Sequence, residues 1–267
     1  MQSLAIDGET YLRLIGLIGG RYFLMAGTAF VLAYLIARPR IARFKIQKKY
    51  PRLADYSREI GYSVLTILIF ALVPLVLLKT DSIRPHTTFY TDISSHGWFY
   101  FFSAFPLMLL IHDTYFYWMH RLMHHPLLFR AAHLIHHRST NPSPWAAYAF
   151  HPLEALIEAG ILAVFLFTIP IHKLHLPFFF LFMILYNVYG HLGWELYPRG
   201  YNRHPVGRWI NTSVNHNQHH QFFKGNYGLY FLFWDRWMGT LRKDYDEQFD
   251  AVTATPDRPA EATLTSK

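Results

Sequence analysis

The stretch from His112 to His137, HDTYFYWMHRLMHHPLLFRAAHLIHH, holds seven histidines, and its reading decides the fold. On a helix, His120 and His124 lie one turn apart, so both imidazoles leave one face. His133, His136 and His137 follow at i, i+3 and i+4, which again share a face. A second HxxHH, His216-Asn217-Gln218-His219-His220, comes farther along the chain. The set reads HxxxH, HxxHH, HxxHH, the pattern of a metal cage. His112 stands off the face shared by Asp113, Tyr117, His120 and His124.

Working outward, the flanks are apolar. Hydrophobic residues make up 52% and charged ones 16% of 267 residues, against about 25% charged in a soluble domain. There is no cysteine, so disulfides, thiolate metal sites and iron–sulfur clusters are excluded. The net charge of +8 comes from Lys and Arg that sit largely beside apolar segments. This fits a membrane surface better than nucleic acid. Residues 11–37, 60–78 and 98–120 are each long enough to span a bilayer. Residues 155–170 and 176–193 form a shorter apolar hairpin, re-entrant or tilted.

The basic cluster at 38–52 is expected on the cytoplasmic side by the positive-inside rule. Alternating passes then bring both HxxHH segments to that side. The expected fold is all-α: a multi-span helical integral membrane protein with a cytosolic histidine-rich cap holding a dimetal centre. The expected divisions are 1–59, a transmembrane helix with a basic linker; 60–241, the membrane domain; and 242–267, a disordered tail. Residues 225–241 are expected to lie at the interface as an amphipathic segment.

Eight imidazoles exceed the needs of one ion but suit two, and neutral imidazole binds iron, copper, nickel and zinc. Zinc has no redox chemistry, so two irons are the natural choice if O2 is to be activated. Such a centre at a membrane surface can remove hydrogen from an unactivated C–H bond of a lipid. Asp113 can orient a ligand histidine or cap local structure. Tyr117 shares the face of the first pair, and Arg121 can support a ligand or bind lipid headgroups. His151 with Glu154 and His191 with Glu195 are polar pairs flanking the hairpin. His191 is a candidate ninth ligand, and His151 either a ligand or a helix start. Five further histidines, at 86, 96, 172, 175 and 204, read as loop or interface residues.

The segments DTYFYWMHRLMHH, HLIHHRSTNPSPWAAYAFHPLE, GHLGWELYP and NHNQHH closely resemble the fatty acid hydroxylase / sterol desaturase superfamily, nearest its sterol C5-desaturase-like branch. The resemblance runs over roughly residues 60–240. It implies O2-dependent hydroxylation or desaturation of a sterol or acyl/alkyl lipid at a histidine-ligated di-iron centre. By motif position, the ligands it implies are His120, His124, His133, His136, His137, His216, His219 and His220, with His191 similar to an additional family histidine. The HPGG haem motif of fused cytochrome b5 domains is missing. A separate donor, cytochrome b5 or a ferredoxin with its reductase, is therefore expected. A bacterial inner membrane and the endoplasmic reticulum both suit such an enzyme.

Two rivals from other classes are a histidine-rich membrane metal transporter and a zinc-dependent lipid hydrolase. The first needs polar residues deep inside several spans. The second needs a carboxylate base beside an open metal position, for which Glu154 and Glu195 are the candidates.

Overall fold

A computed structural model describes residues 7–254. The Asp7 carboxylate accepts the Thr10 N–H and caps α1 (Gly8–Phe30), which runs on as a π-helix to Ile36. After a short α2 (Arg38–Ile41) come α3 (Leu53–Lys79) and α4 (Gly97–Met123). The turns α5 (Pro126–Ala132) and α6 (Leu134–His137) lead to the hairpin of α7 (Pro152–Thr168) and α8 (His175–Gly190). Shorter helices α9 (Ser213–Phe222), α10 (Phe233–Trp237) and α11 (Tyr245–Thr253) complete the described chain.

Two helices, Gly8–Ile36 and Leu53–Lys79, are long and apolar enough to cross a membrane. At 1.5 Å per residue, α4 is as long as α3, but it carries His112, Asp113, His120 and Arg121 toward its end. Helices α7 and α8 have 17 and 16 residues, roughly 24–26 Å against a hydrocarbon core of about 30 Å. A closure tile joins them to the connector before α4: β1 (Phe89–Tyr90) pairs in parallel with β2 (Ile171–His172). His172 and His175 are buried here, bonded to the Thr91 and Phe101 carbonyls. The opposite end gathers the start of α7 and the ends of α4 and α8.

Three expectations are corrected. A boundary at 59/60 falls inside α3, and Ile18, Tyr22 and Ala26 of α1 share one core with Ile67, Met108 and Phe165. The N-terminal helix is thus part of the main bundle. The tail is not disordered where it is described: Tyr245, Phe249 and Val252 recur at i, i+4 and i+7 and bury with Ile46, Val214 and Leu232. Residues from 255 onward lie outside the described ones. The segment 225–241 is no amphipathic helix. Tyr227, Leu229, Tyr230 and Leu232 are buried in irregular chain, helical only over α10. That chain starts with left-handed Gly225 and Asn226 and is held by carboxylates: Asp113 accepts the Tyr230 and Phe231 N–H groups, and Asp235 those of Tyr227 and Gly228. Trp237 and Met238, at 66% and 41% exposed, keep the character expected of an interface.

Candidate metal centre

Helix α4 delivers His120 and His124 at its last turn, where His124 is the C-cap. His133 ends α5 and starts α6, which carries His136 and His137. Thr212 caps α9 by accepting the Asn215 N–H, and α9 carries His216, His219 and His220. His191 is the C-cap of α8. A side chain at Gly190 would meet the His216 ring at 3.2 Å. Glycine there lets α8 and α9 approach closely enough to join their histidines.

The nine rings form two groups, each with its ligand nitrogens within 4.8 Å of one another: His120, His124, His133, His137 and His219; and His136, His191, His216 and His220. Each HxxHH is divided between them. His133 and His137 go one way and His136 the other, while His219 parts from His216 and His220. In both motifs the i and i+4 rings go together and the i+3 ring goes apart: i+3 and i+4 share the face of i but flank it on opposite sides, about 100° from each other. The groups are adjacent, with the His137 and His220 ring centroids 5.0 Å apart.

The donor set fits cations. The Nδ1 atoms of His120 and His133 engage the Tyr227 carbonyl at 2.9 Å and the Glu154 carboxylate at 2.7 Å. Donating there leaves both Nε2 atoms as bare lone pairs, yet those atoms face each other at 3.0 Å. The second group repeats this. His191 and His220 engage the Asn187 and Ser139 carbonyls through Nδ1, and their Nε2 atoms stand 3.1 Å apart. Two lone pairs cannot share a hydrogen bond. Two nitrogens each ~2.1 Å from one ion, at angles of 90–110°, would lie about 3.0–3.4 Å apart. Burial, with neighbouring imidazoles second, holds His133, His137, His219 and His220 well below the usual imidazole range, so the neutral, ligating form is kept.

The supporting residues divide differently from their sequence reading. Glu154 does orient a cluster histidine, His133. His151 does not join the cluster: its Nδ1 accepts the Leu153 N–H at the start of α7. Asp113 holds backbone and not a histidine. Glu195 is not paired with His191; it accepts from the Tyr189 hydroxyl and the N–H groups of Leu196, Tyr197 and Val214, tying α8 to α9. Tyr117 faces away, to the Thr240 hydroxyl, and accepts from Arg121. Glu195 thus has both oxygens engaged, while Glu154 is engaged through Oε1 and keeps a buried, unpartnered Oε2.

Sequence reasoning missed two further features. Lys45 is 2% exposed, its ammonium 3.4 Å from the Gly193 carbonyl and 4.6 Å from the Trp194 ring centre. It anchors the loop after His191; Gly193, at φ +81°, leaves room for it. Nothing distinguishes Lys45 in sequence from the neighbouring basic residues. The second feature is an apolar cavity of about 310 Å³ among α1, α3, α4, α7 and α8. Phe116 and Phe150 line it, and their rings lie 4.9 Å from that of His120 and 5.1 Å from that of His136. His112 also lines it, its Nδ1 3.0 Å from the Tyr230 hydroxyl.

The Fatty acid hydroxylase family model matches residues 105–240. A Delta(7)-sterol 5(6)-desaturase of Gibberella zeae is 30% identical over 226 residues, covering 83% of this chain and 68% of the relative. A like-named protein of Aspergillus fumigatus is 30% identical, with 87% and 65% covered. Lathosterol oxidase of Mus musculus is 30% identical, with 73% and 64% covered. The chain thus spans about two thirds of the length of these relatives. No solved structure matches significantly.

Proposed function

The chain belongs to the fatty acid hydroxylase family, and from that premise we propose that it is a non-haem di-iron membrane oxidase that hydroxylates or desaturates a lipid, with a Delta(7)-sterol as the leading substrate. The carrying observation is the pair of opposed, bare Nε2 atoms in each histidine group, set against an apolar cavity. Two irons held by the nine histidines would supply the redox chemistry with O2 that removes hydrogen from an unactivated C–H bond.

The chain's own residues shape the rest. Phe116 and Phe150 stand between the cavity and the two groups, where they exclude water and place a hydrocarbon against the centre. The Glu154 carboxylate and the Tyr227, Gly225, Asn187 and Ser139 carbonyls hold Nδ1 protons and so aim five Nε2 atoms inward. The basic segment at 38–52 adjoins the histidine end, which supports a cytosolic active site.

Hydroxylation consumes O2, two electrons and two protons to give an alcohol and one water; desaturation gives an alkene and two waters. A separate one-electron carrier, cytochrome b5 or a ferredoxin with its reductase, supplies those electrons. A groove lined by Arg121, Lys224, Arg242 and Lys243, with Asp244 paired to Arg242, is basic on balance and favours an acidic carrier. Its wall includes Gly225 and Tyr227, whose carbonyls bond His219 and His120.

The test is elemental analysis of purified protein from iron-supplemented cells, followed by a sterol assay with O2 and reductant. About two irons per chain and an oxidised sterol are expected, both lost when His136 and His219, one from each group, are replaced together. Protein that binds no metal overturns the reading.

A further inference from the structure

Aromatic rings other than histidine stand against the two imidazole groups, and four of the five are phenylalanines. Phe116 lies beside His120, Phe150 beside His136, and Phe129 and Phe223 beside His137. The fifth is Tyr227, whose ring centre is 5.7, 5.1 and 5.6 Å from those of His120, His124 and His219. Phenylalanine resists losing an electron, whereas tyrosine and tryptophan yield one to a strong oxidant. Among the described residues, Tyr227 is therefore the oxidisable ring that touches the centre.

From Tyr227 the oxidisable rings run outward. Tyr117 follows at 6.2 Å, Trp234 lies 5.8 Å from Tyr117 and 21° from parallel to it, and Trp237 lies 5.6 Å from Trp234. Tyr117 is fully buried, whereas Trp237 is 66% exposed. Trp118, 5.3 Å from Tyr117 and 39% exposed, forms a side branch. Electron tunnelling weakens exponentially with distance, so steps between rings in contact are the fast ones. Packing alone does not account for the Tyr117 hydroxyl. Arg121 donates to its oxygen, and Thr240 donates its own proton to Asp235 at 2.7 Å, so the Tyr117 proton is directed at Thr240, 2.9 Å away. A phenol that loses an electron must also release its proton, and this line of oxygens receives it.

We infer that Tyr227, Tyr117, Trp234 and Trp237 form a one-electron exit that discharges the centre when O2 is activated with no lipid to attack. This rests on the oxidase reading, which supplies the oxidant. O2 that has received two electrons and two protons takes two more of each to end as two waters, and each passage along the chain delivers one electron. In a passage, Tyr227 gives an electron to the centre and regains one from Tyr117. The Tyr117 phenol proton moves to Thr240 as the Thr240 proton moves to Asp235. Trp234 then restores Tyr117, and both protons step back. Trp237 restores Trp234 and loses its indole proton to water. A soluble thiol returns one electron and one proton to Trp237, and two such thiols end as a disulfide. The same steps do not relay the carrier's electrons inward, because a centre still awaiting them is too weak an oxidant to take an electron from tyrosine.

The experiment mixes iron-loaded, chemically reduced full-length protein in sterol-free nanodiscs with O2 and freezes samples at intervals. Electron paramagnetic resonance, with ring-deuterated tyrosine or tryptophan, assigns the radicals. O2 consumption is followed in parallel, and mass spectrometry after repeated turnover locates added oxygen. Wild type should show a tyrosyl and then a tryptophanyl radical, with added oxygen at Trp237; sterol should suppress both. Tyr117→Phe should keep its iron yet lose the tryptophanyl signal, and without sterol it should inactivate several-fold faster per O2 consumed. Thr240→Val should delay the radicals, and Trp237→Phe should shift the added oxygen to Trp118. O2 consumption without radicals, or a tryptophanyl signal undiminished in Tyr117→Phe, overturns the inference and leaves the oxidase reading standing. No O2 consumption by iron-loaded wild type overturns both. The expected radicals, with no lipid product when sterol is supplied, sink the lipid-oxidase reading alone.

Discussion

The His133 Nδ1 lies 2.7 Å from the Glu154 carboxylate, and both side chains are at most 2% exposed. The contact orients an imidazole whose other nitrogen faces His120. Replacing Glu154 by Gln should lower metal affinity about 10–100-fold, the usual range for a partner behind a ligand. Competition titration with a chelator checks this. Unchanged affinity would mean that the carboxylate does not set the ring.

His191 has no place in either HxxHH, yet it lies 3.1 Å from both His216 and His220 through Nε2. His191→Ala should reduce bound metal from about two ions to about one per chain and abolish turnover. His204→Ala, a loop residue, should keep both ions. Elemental analysis of the two variants decides the matter; two ions in His191→Ala would remove it from the ligand set.

Asp113 satisfies the N–H groups of Tyr230 and Phe231 at 2.7 and 3.1 Å. Asp113→Ala leaves those groups buried without a partner, a cost of about 1–3 kcal/mol. A lower melting temperature is expected, with metal content retained. Loss of metal without loss of stability would assign Asp113 to the centre after all.

Burial, with the charge of Lys48 second, lowers the Lys45 ammonium from 10.5 to about 8. Between those values the unfolded chain binds the extra proton, so stability should rise with pH from about 8 toward 10.5. Lys45→Met should flatten that rise. Melting curves across the interval in both proteins test it, and parallel curves would count against the assignment.

The histidine motifs were legible because ligand spacing is a local helical property. Their division between two groups was not, since it depends on how α6 and α9 meet in space. His191 was visible as a candidate through its position at the end of an apolar run and through the family resemblance; Gly190, which lets α8 touch His216, gives it its place. Glu154 and Asp113 looked alike in sequence, each an acid near histidines. Only tertiary packing showed one supporting a ring and the other supporting backbone. The burial of Lys45 left no trace in a segment rich in basic residues.

The division of each HxxHH has a consequence for assembly. An ion captured by either group fixes α6 and α9 together, and these same turns carry rings for the other group. The ordering required at the second centre is then already complete, so loading should be cooperative. During iron titration, protein with one ion per chain should stay scarce, with empty and fully loaded molecules dominating the mixture.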